Sequence, residues 1–391
     1  MRAEILATER ALDALAPEWE DLLARSATPE PVLSPTWLCA WWRVFGGGRA
    51  LRVVAFREQG RLIGLAPLAA RLFLHRRVLP FRRVELLGSG EDEADEICSE
   101  YLGVVAERGR EDDVAAALAD LVVDGRLGAV DELLFPAMSG DTRGPRALAD
   151  AFAARGFDVD LAETSRAPHV PLPKTFDAWL SALPSEHRYL VRRSLRDFEA
   201  WSAGTTRVNV ASTSAELAEG LRVLRALHGE RWSEERADGA FASTRFRAFH
   251  EEVMPALLSR GALELSWITV RDAPIAALYN IVWNGKVHFY QGGRAVDVPA
   301  KIRPGIVAHA FAIRRAIERG LSEYDFLAGT ARYKLQLATA TRPLVALRVT
   351  RRSRRERVRL GVEEAIAVLR RARDAWNAAG RAPVGPTRRR A

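Results

Sequence analysis

From Lys286 to Lys334 the hydrophobic positions change period three times. Lys286–Gln291 alternates apolar and polar residues, which predicts a strand. Ile306, Ala310, Ile313 and Ile317 then recur at i, i+4, i+7 and i+11, the spacing of one buried helix face, with Val307 and Phe311 beside them. Pro304-Gly305 marks the helix start, because proline at the first position is preorganised and its missing N–H costs nothing there. Gly320 suits the C-terminal stop. Leu321–Leu327 returns to a strand with Tyr324 and Phe326 on one face, expected core positions, and Asp325 on the other. A short polar segment then leads to Tyr333-Lys334. A helix that begins at a glycine-rich loop presents unpaired backbone N–H groups and the positive end of its dipole, which suits a phosphate.

The same signals organise the remainder. A strand is expected over Arg2–Ala7 and a helix through Trp19, Leu22 and Leu23. Ser34-Pro35 opens the helix TWLCAWWRVF, which Gly46-Gly47-Gly48 ends. Strands Leu51–Phe56 and Arg61–Ala69 join through the turn Arg57–Gly60, and another follows around Val78–Leu87. Asp92–Tyr101 is an acidic loop in which Glu93, Asp95 and Glu96 read as solvated charges. Helix Asp112–Val123, strand Glu132–Phe135, helix Arg146–Arg155 and strand Phe157–Leu161 come next. After Pro168–Pro173 a helical hairpin, Trp179–Trp201, bends at Pro184. Strand Thr206–Ala211 precedes a helix capped by Ser214, with Leu217, Leu221, Leu224 and Leu227 inward, and a second helix near Ser243–Ser259. Leu263–Val270, Ile275–Trp283 and Lys286–Gln291 form a three-stranded meander. Asn284-Gly285 links the last two strands, and both residues tolerate the positive φ of a type I′ hairpin turn.

Each half therefore runs strand, two helices, a three-stranded antiparallel meander, helix, strand, helix, strand. The segments GRLIGLAPLAA and APIAALYNIVW echo one another within that order. The pattern predicts an α/β (α+β) chain with two similar domains, 1–165 and 206–350, joined by a linker and helical hairpin at 166–205. A basic, partly helical tail follows at 351–391.

Charge sharpens this division. The net charge is +8, but residues 351–391 hold 13 Arg against 4 acids, so residues 1–350 are close to neutral. A nucleic-acid-binding fold would carry its basic stripe on the folded body, so no nucleic-acid partner is expected. Leu360, Ile366, Leu369 and Trp376 form an imperfect apolar stripe among the tail arginines, which predicts a docked helix with weak attraction to anionic membrane surfaces. No apolar run approaches the roughly 20 residues that span a bilayer. The first residues carry acids where a secretory leader has its apolar core. Cys39 and Cys98 are too few for a disulfide framework. The expected location is cytoplasmic, with the tail as a peripheral contact at the inner membrane face.

The order of elements resembles the GNAT acyltransferase fold occurring twice. More narrowly the chain is similar to the CelD/BcsL-like acetyltransferases of polysaccharide biosynthesis. The resemblance is carried by SPTWLCAWW (34–42), LIGLAPL (62–68), SEYL (99–102), HRYLVRRSLRDFE (187–199), ERW (230–232), PIAALYNIVWNGKVHFYQGG (274–293) and GLSEYDFLAGTARYK (320–334), and covers most of residues 15–350. It implies a tandem GNAT architecture, an acyl-CoA donor (acetyl-CoA or a longer acyl-CoA), and an active site in the second repeat. Fem-type aminoacyltransferases share the tandem plan. One departure stands out: against the family's Q/R-x-x-G-x-G/A loop, Gly305 places Ile302 first and Val307 last.

Acyl transfer from a thioester needs a nucleophile that loses a proton, donors for the oxyanion and a proton for the leaving thiolate. In the implied layout Tyr333 is the candidate proton donor. His288 or Tyr290, which share a strand face, is a base or substrate contact, and Asp325 is either a site residue or the polar position of its strand. Gln291, Gly292, Arg303, Gly305 and Ile306 are the candidate donor contacts. Arg188, Arg192, Trp232 and Lys334 are candidate acceptor contacts; Arg188, Arg192 and Arg196 recur at i, i+4 and i+8 as either a solvated stripe or an anion-binding wall. No metal is expected, since the seven histidines lack ligand spacing. No G-x-S-x-G elbow, Walker lysine loop or H-E-x-x-H helix is present, which sets aside hydrolase, NTPase and zincin chemistry. Three readings remain: an acyl-CoA-dependent transferase acting on a sugar or other small polar acceptor in exopolysaccharide or envelope synthesis, a Fem-type transferase using aminoacyl-tRNA, and a catalytically silent scaffold.

Overall fold

The computed structural model describes residues 1–234 and 239–379, leaving out the side chains at 230–234, 367, 372 and 374–379. In chain order the first half comprises β1 (Arg2–Leu6), α1 (Glu9–Arg25), α2 (Pro35–Phe45), β2 (Ala50–Leu51), β3 (Val53–Glu58), β4 (Arg61–Ala66), β5 (Leu68–His75), β6 (Leu79–Leu86), β7 (Val105–Ala106), α3 (Glu111–Val123), β8 (Glu132–Ser139), α4 (Arg143–Ala153) and β9 (Asp158–Pro171). The hairpin α5 (Phe176–Ala182) and α6 (Ser185–Ser202) follows. The second half adds β10 (Thr206–Val210), α7 (Ser214–Glu234), α8 (Thr244–Ser259), β11 (Leu263–Val270), β12 (Ala273–Trp283), β13 (Lys286–Arg294), α9 (Pro304–Glu318), β14 (Glu323–Asp325), α10 (Arg332–Leu337) and β15 (Ala340–Thr350), and α11 (Arg354–Ala379) ends the described chain.

Local chemistry explains most of these boundaries. The Ser34 hydroxyl accepts from Trp37 N at 3.3 Å and donates to Pro31 O, with Pro35 at the first helical position of α2. The cap of α7 is Thr213 rather than Ser214: its hydroxyl accepts from Glu216 N while the Glu216 carboxylate accepts from Thr213 N, a reciprocal capping box. Asn284 and Gly285 both have positive φ, 47° and 76°, as their hairpin requires.

The two halves share one sheet. Eleven strands run in the order β10-β11-β12-β13-β14-β9-β15-β8-β6-β5-β2, beside a smaller sheet β1-β3-β4-β7. The junction is an exchange of strands. β15 inserts between β8 and β9 and is antiparallel to both, while the end of β9 reaches past it to pair His169–Pro171 with β14. A strand at this position was expected to stop near Leu161. It continues for ten further residues, straight through residue 165 where the first domain was expected to end, because its two ends serve different neighbours.

Period-two alternation sorts the second half's side chains between two cores. Leu265, Trp267, Ala277, Tyr279 and Ile281 face α7, α8 and the first half, whereas Ile268, Leu278, Val287 and Phe289 face α5, α6 and α9. α7 crosses β13 at backbone distance: a Cβ on Gly293 would lie 2.6 Å from His228 N. Glycine is required there.

Of the apolar stripe expected on the terminal helix α11, Leu360 and Leu369 are exposed, Ile366 is half-buried and the Trp376 side chain lies outside the described residues. Val358 and Val362 are exposed as well, and the buried contact is the carboxylate of Glu356, which accepts from Arg348 and Arg359. Glu363 adds bonds from His75 and Arg76 on the β5–β6 hairpin. Burial pushes the Glu356 carboxyl up, but the hydrogen bonds from the two arginines outweigh it and hold it at about 2. A depressed carboxylate stabilises the docked state above its unfolded value near 4.3 and loses that contribution as pH falls toward its folded value. The protection of α11 amides relative to their intrinsic exchange rates is therefore expected to fall as pH drops from about 5 to about 2. Glu356→Gln should loosen the helix at pH 7 by about 1–3 kcal/mol. Protection unchanged by either perturbation would show that other contacts hold α11.

Candidate active site

The site follows from a parting of strands. β13 and β14 pair in parallel only over Lys286–His288 with Glu323–Asp325. Beyond that point β13 continues to Arg294 while the chain after β14 turns away through Leu327, whose φ is +56°. The wedge between them opens into a cleft of about 410 Å³. Its walls are the end of β13, the first turn of α9 and the start of α10.

The cleft combines apolar and electropositive surface. Leu278, Phe289, Ile306 and Tyr333 supply apolar surface, and Arg294, Arg303 and Arg332 also line the cleft. Arg303 is the N-cap position of α9 and makes no side-chain cap bond, and no acid occupies the first turn. The helix start is thus an uncapped set of N–H groups at the positive dipole end, facing the cleft. No protein atom lies within 4 Å of where a Gly305 Cβ would stand, so the backbone there is open to a ligand.

Of the residues singled out from sequence, the fold brings Gly292, Arg303, Gly305, Ile306 and Tyr333 together around this cleft. Gln291, one residue before Gly292, is half-buried opposite Tyr279 and does not line it. His288, Tyr290 and Asp325, expected as catalytic residues, do not line the cleft. Phe289 faces the cleft, so its neighbours 288 and 290 point through the opposite face of the sheet toward the first half. There His288 lies 3.4 Å from the buried Glu30, which Lys286 also contacts at 3.0 Å. The Tyr290 hydroxyl donates to Ile97 O and meets His250 at 3.0 Å. Asp325 is fully buried, accepting from Tyr101 OH at 2.7 Å, from Leu327 N at 2.7 Å and from Arg342 at 3.4 Å. These three are pins between the halves.

The expected acceptor contacts also separate. Arg188 donates to Ser181 O and Leu183 O and so clamps the α5–α6 bend, while Arg192 is exposed one turn later. Lys334 donates to Ala328 O. The Trp232 side chain lies outside the described residues.

His309 is the cleft residue that the sequence reading missed. It stacks on Tyr333 with ring centroids 5.2 Å apart and planes 17° from parallel, and its Nδ1 is 3.0 Å from Tyr324 OH. Burial, with the nearby Lys334 charge, drives its basicity down to about 3, so the imidazole is neutral. The signal was present: a histidine on the otherwise apolar Ile306/Ala310/Ile313 face of α9. Among the described residues no cluster of His, Cys, Asp and Glu could hold a metal ion, and no helix is long and apolar enough to cross a membrane.

Removing Asp325 tests the assignment of the interior pins. Asp325→Ala leaves Arg342 and the Tyr101 hydroxyl without their shared partner and should cost about 3–5 kcal/mol of stability in urea unfolding. A loss below about 0.5 kcal/mol, the scale of an ordinary surface change, would contradict the pinning role.

Residues 185–335 match the family model of the acetyltransferase (GNAT) domain. No curated protein matches the chain by sequence. Among solved structures the fold is similar to FemX, at 12% identity and a TM-score of 0.57, over 88% of this chain and 97% of that one. It is also similar to the C-terminal domain of a lysylphosphatidylglycerol synthetase-type protein from Agrobacterium fabrum (11% identity, TM-score 0.52, 92% of this chain and 95% of that one). L-PGS from Bacillus licheniformis aligns at 11% identity and a TM-score of 0.50, over 86% of this chain and 92% of that one. The chain is thus a mixed α/β protein of GNAT-type fold, and an acyltransferase.

Proposed function

Starting from a GNAT acetyltransferase domain whose cleft opens at the first turn of α9, we propose that the chain transfers an acyl group from acyl-CoA, acetyl-CoA foremost, to a sugar or other small polar acceptor. The observation that carries this reading is a contrast between two equivalent helices. α9 starts uncapped, without acids, beside Arg294, Arg303 and Arg332. α3, its counterpart in the first half, starts with Glu111, Asp112 and Asp113. Three carboxylates satisfy the α3 dipole and repel phosphate, so the donor belongs in the second half. The arginines suit the donor's phosphates, and the apolar wall suits its pantetheine arm and acyl chain.

Chemistry then falls in the wedge between β13 and β14. The acceptor's lone pair adds to the thioester carbonyl, the C–S bond breaks, and the acceptor proton is replaced by the acyl group while the sulfur gains a proton. We assign that proton to Tyr333, which stacks on His309 in the cleft, since a phenol is protonated at neutral pH. The acceptor is assigned to exopolysaccharide or envelope synthesis on the CelD/BcsL-like resemblance, with the protein acting in the cytoplasm. A Fem-type reaction would require a surface for tRNA, and the near-neutral charge of residues 1–350 does not supply one.

CoA and acetyl-CoA should each raise the melting temperature by several degrees at about 100 times their Kd, equivalent to ~2.7 kcal/mol. Gly305→Trp, at a cleft position where an added Cβ meets nothing, should abolish that rise. A folded variant with unchanged CoA affinity would place the donor elsewhere.

Tyr333→Phe removes one hydroxyl and should slow turnover by about 10²–10⁴ with little change in donor affinity. Steady-state kinetics at the normal rate would falsify the proton-donor role.

A further inference from the structure

The ion pairs that hold α11 sort its side chains by face. Glu356 accepts from Arg348 and Arg359, and Glu363 from Arg76 beside a contact with His75. These acids stand seven residues apart, close to two full turns, so they share the face that meets the body. At about 100° per residue, Val358, Val362, Ala365 and Leu369 fall on the side turned away from it. All four are exposed, Val358 by 54% and Leu369 by 68%. Exposed Val368 and half-buried Ile366 widen the stripe at its two margins. Single exposed apolar residues are ordinary, but a continuous strip of them marks a surface that meets something.

Charge on the same helix is sorted as well. Of its described acids, Glu356 and Glu363 are engaged by the body, and Glu364 is exposed. Arg354, Arg355 and Arg357 cluster in the first turn, where Arg355 reaches Asp131 at 2.9 Å, and Arg370, Arg371 and Arg373 follow Leu369. All six are exposed. The apolar strip is therefore bracketed at both ends by guanidinium groups. That bracketing selects among occupants. A second copy of the helix, parallel or antiparallel, would set one arginine cluster against another, because the two clusters are symmetric about the middle of the strip, and like charges in contact are unfavourable. A bilayer surface carrying anionic headgroups accepts both features at once. The strip settles at the boundary between headgroups and acyl chains, and the long arginine stems bring their charges to the lipid phosphates.

We propose that the outward face of α11 docks the folded protein on a membrane surface rich in anionic phospholipid, the helix lying along that surface while its acidic face stays bound to the body. The two faces of α11 then have separate tasks, one holding the helix and the other holding the membrane. Valine, alanine and leucine supply little apolar area, so attachment is reversible and depends on charge. Each arginine near an anionic surface strengthens binding about fivefold, and added salt weakens it by shortening the reach of those charges. None of the residues lining the donor cleft belongs to α11, so the docking stands independently of the transferase reading.

Co-sedimentation of the full chain with vesicles tests this directly. Vesicles of phosphatidylcholine mixed with phosphatidylglycerol would be compared with vesicles of phosphatidylcholine alone, at low and at high salt. Partition onto the anionic vesicles is expected to be at least about tenfold stronger and to fall with salt. The double variant Val362→Glu/Leu369→Glu, at two exposed positions, should reduce it to the level of the neutral vesicles. Arg357→Gln and Arg370→Gln, which leave the apolar strip intact, should each weaken it about fivefold. Equal partition onto both lipids, partition onto neither, or partition unchanged by these variants would overturn the proposal. Sedimentation velocity without lipid covers the other occupant: a dimer that the double variant dissolves would assign the strip to a second copy and overturn it too. Thermal melting with and without CoA, run on every variant, reports folding and the donor site separately.

Discussion

A single buried carboxylate ties the molecule together. Asp325 ends β14 with no exposure to solvent, and its three partners come from three places: Tyr101 from the first half, Leu327 from the turn that opens the cleft, and Arg342 from the exchanged strand β15. An isolated buried charge is prohibitively expensive, so this one persists only because each partner is in position. The turn at Leu327 matters most for function. Its amide is held by the carboxylate in a left-handed conformation, which sends the chain away from β13 and creates the wedge. Around this centre Glu30, Lys286, Glu323 and Arg342 continue the ionic contacts between the halves.

Strand exchange makes that arrangement hard to take apart. β9 and β15 each belong to one half by sequence and complete the sheet of the other by hydrogen bonding. Separating the halves would expose long unpaired edges as well as the apolar surface between them. A rigid frame of this kind suits a reaction in which donor and acceptor must meet within a few tenths of an ångström, since positioning supplies much of the rate.

The two halves show how one topology acquires different chemistry through charge and loop length. Both contain a parallel pair that parts, followed by a helix. In the second half the helix start is bare and the cleft is lined by arginines, which favours a phosphate-bearing ligand. In the first half the helix start is acidic and a long loop lines the gap with carboxylates. The divergence lies in side chains and one loop, with the backbone plan kept.

Much of this was legible along the chain. The periodicities located α9, the meander and its Asn284-Gly285 turn, and the duplicated order of elements, because these depend on local spacing and turn chemistry. The start of α9 was legible for the same reason, since Pro304-Gly305 is a helix-start signal. What pairs across the sheet was not. Which neighbour β9 and β15 choose, and hence that β9 runs on through residue 165, depends on contacts between segments about 180 residues apart. His288, Tyr290 and Asp325 look like site residues in sequence because polar groups on a strand near a cleft are ambiguous. Only the packed sheet decides which face meets solvent and which meets the other half. Of the loop acids read as solvated charges, Glu93 and Glu96 are exposed, while Asp95 is half-buried because the fold brings Ser243 beside it.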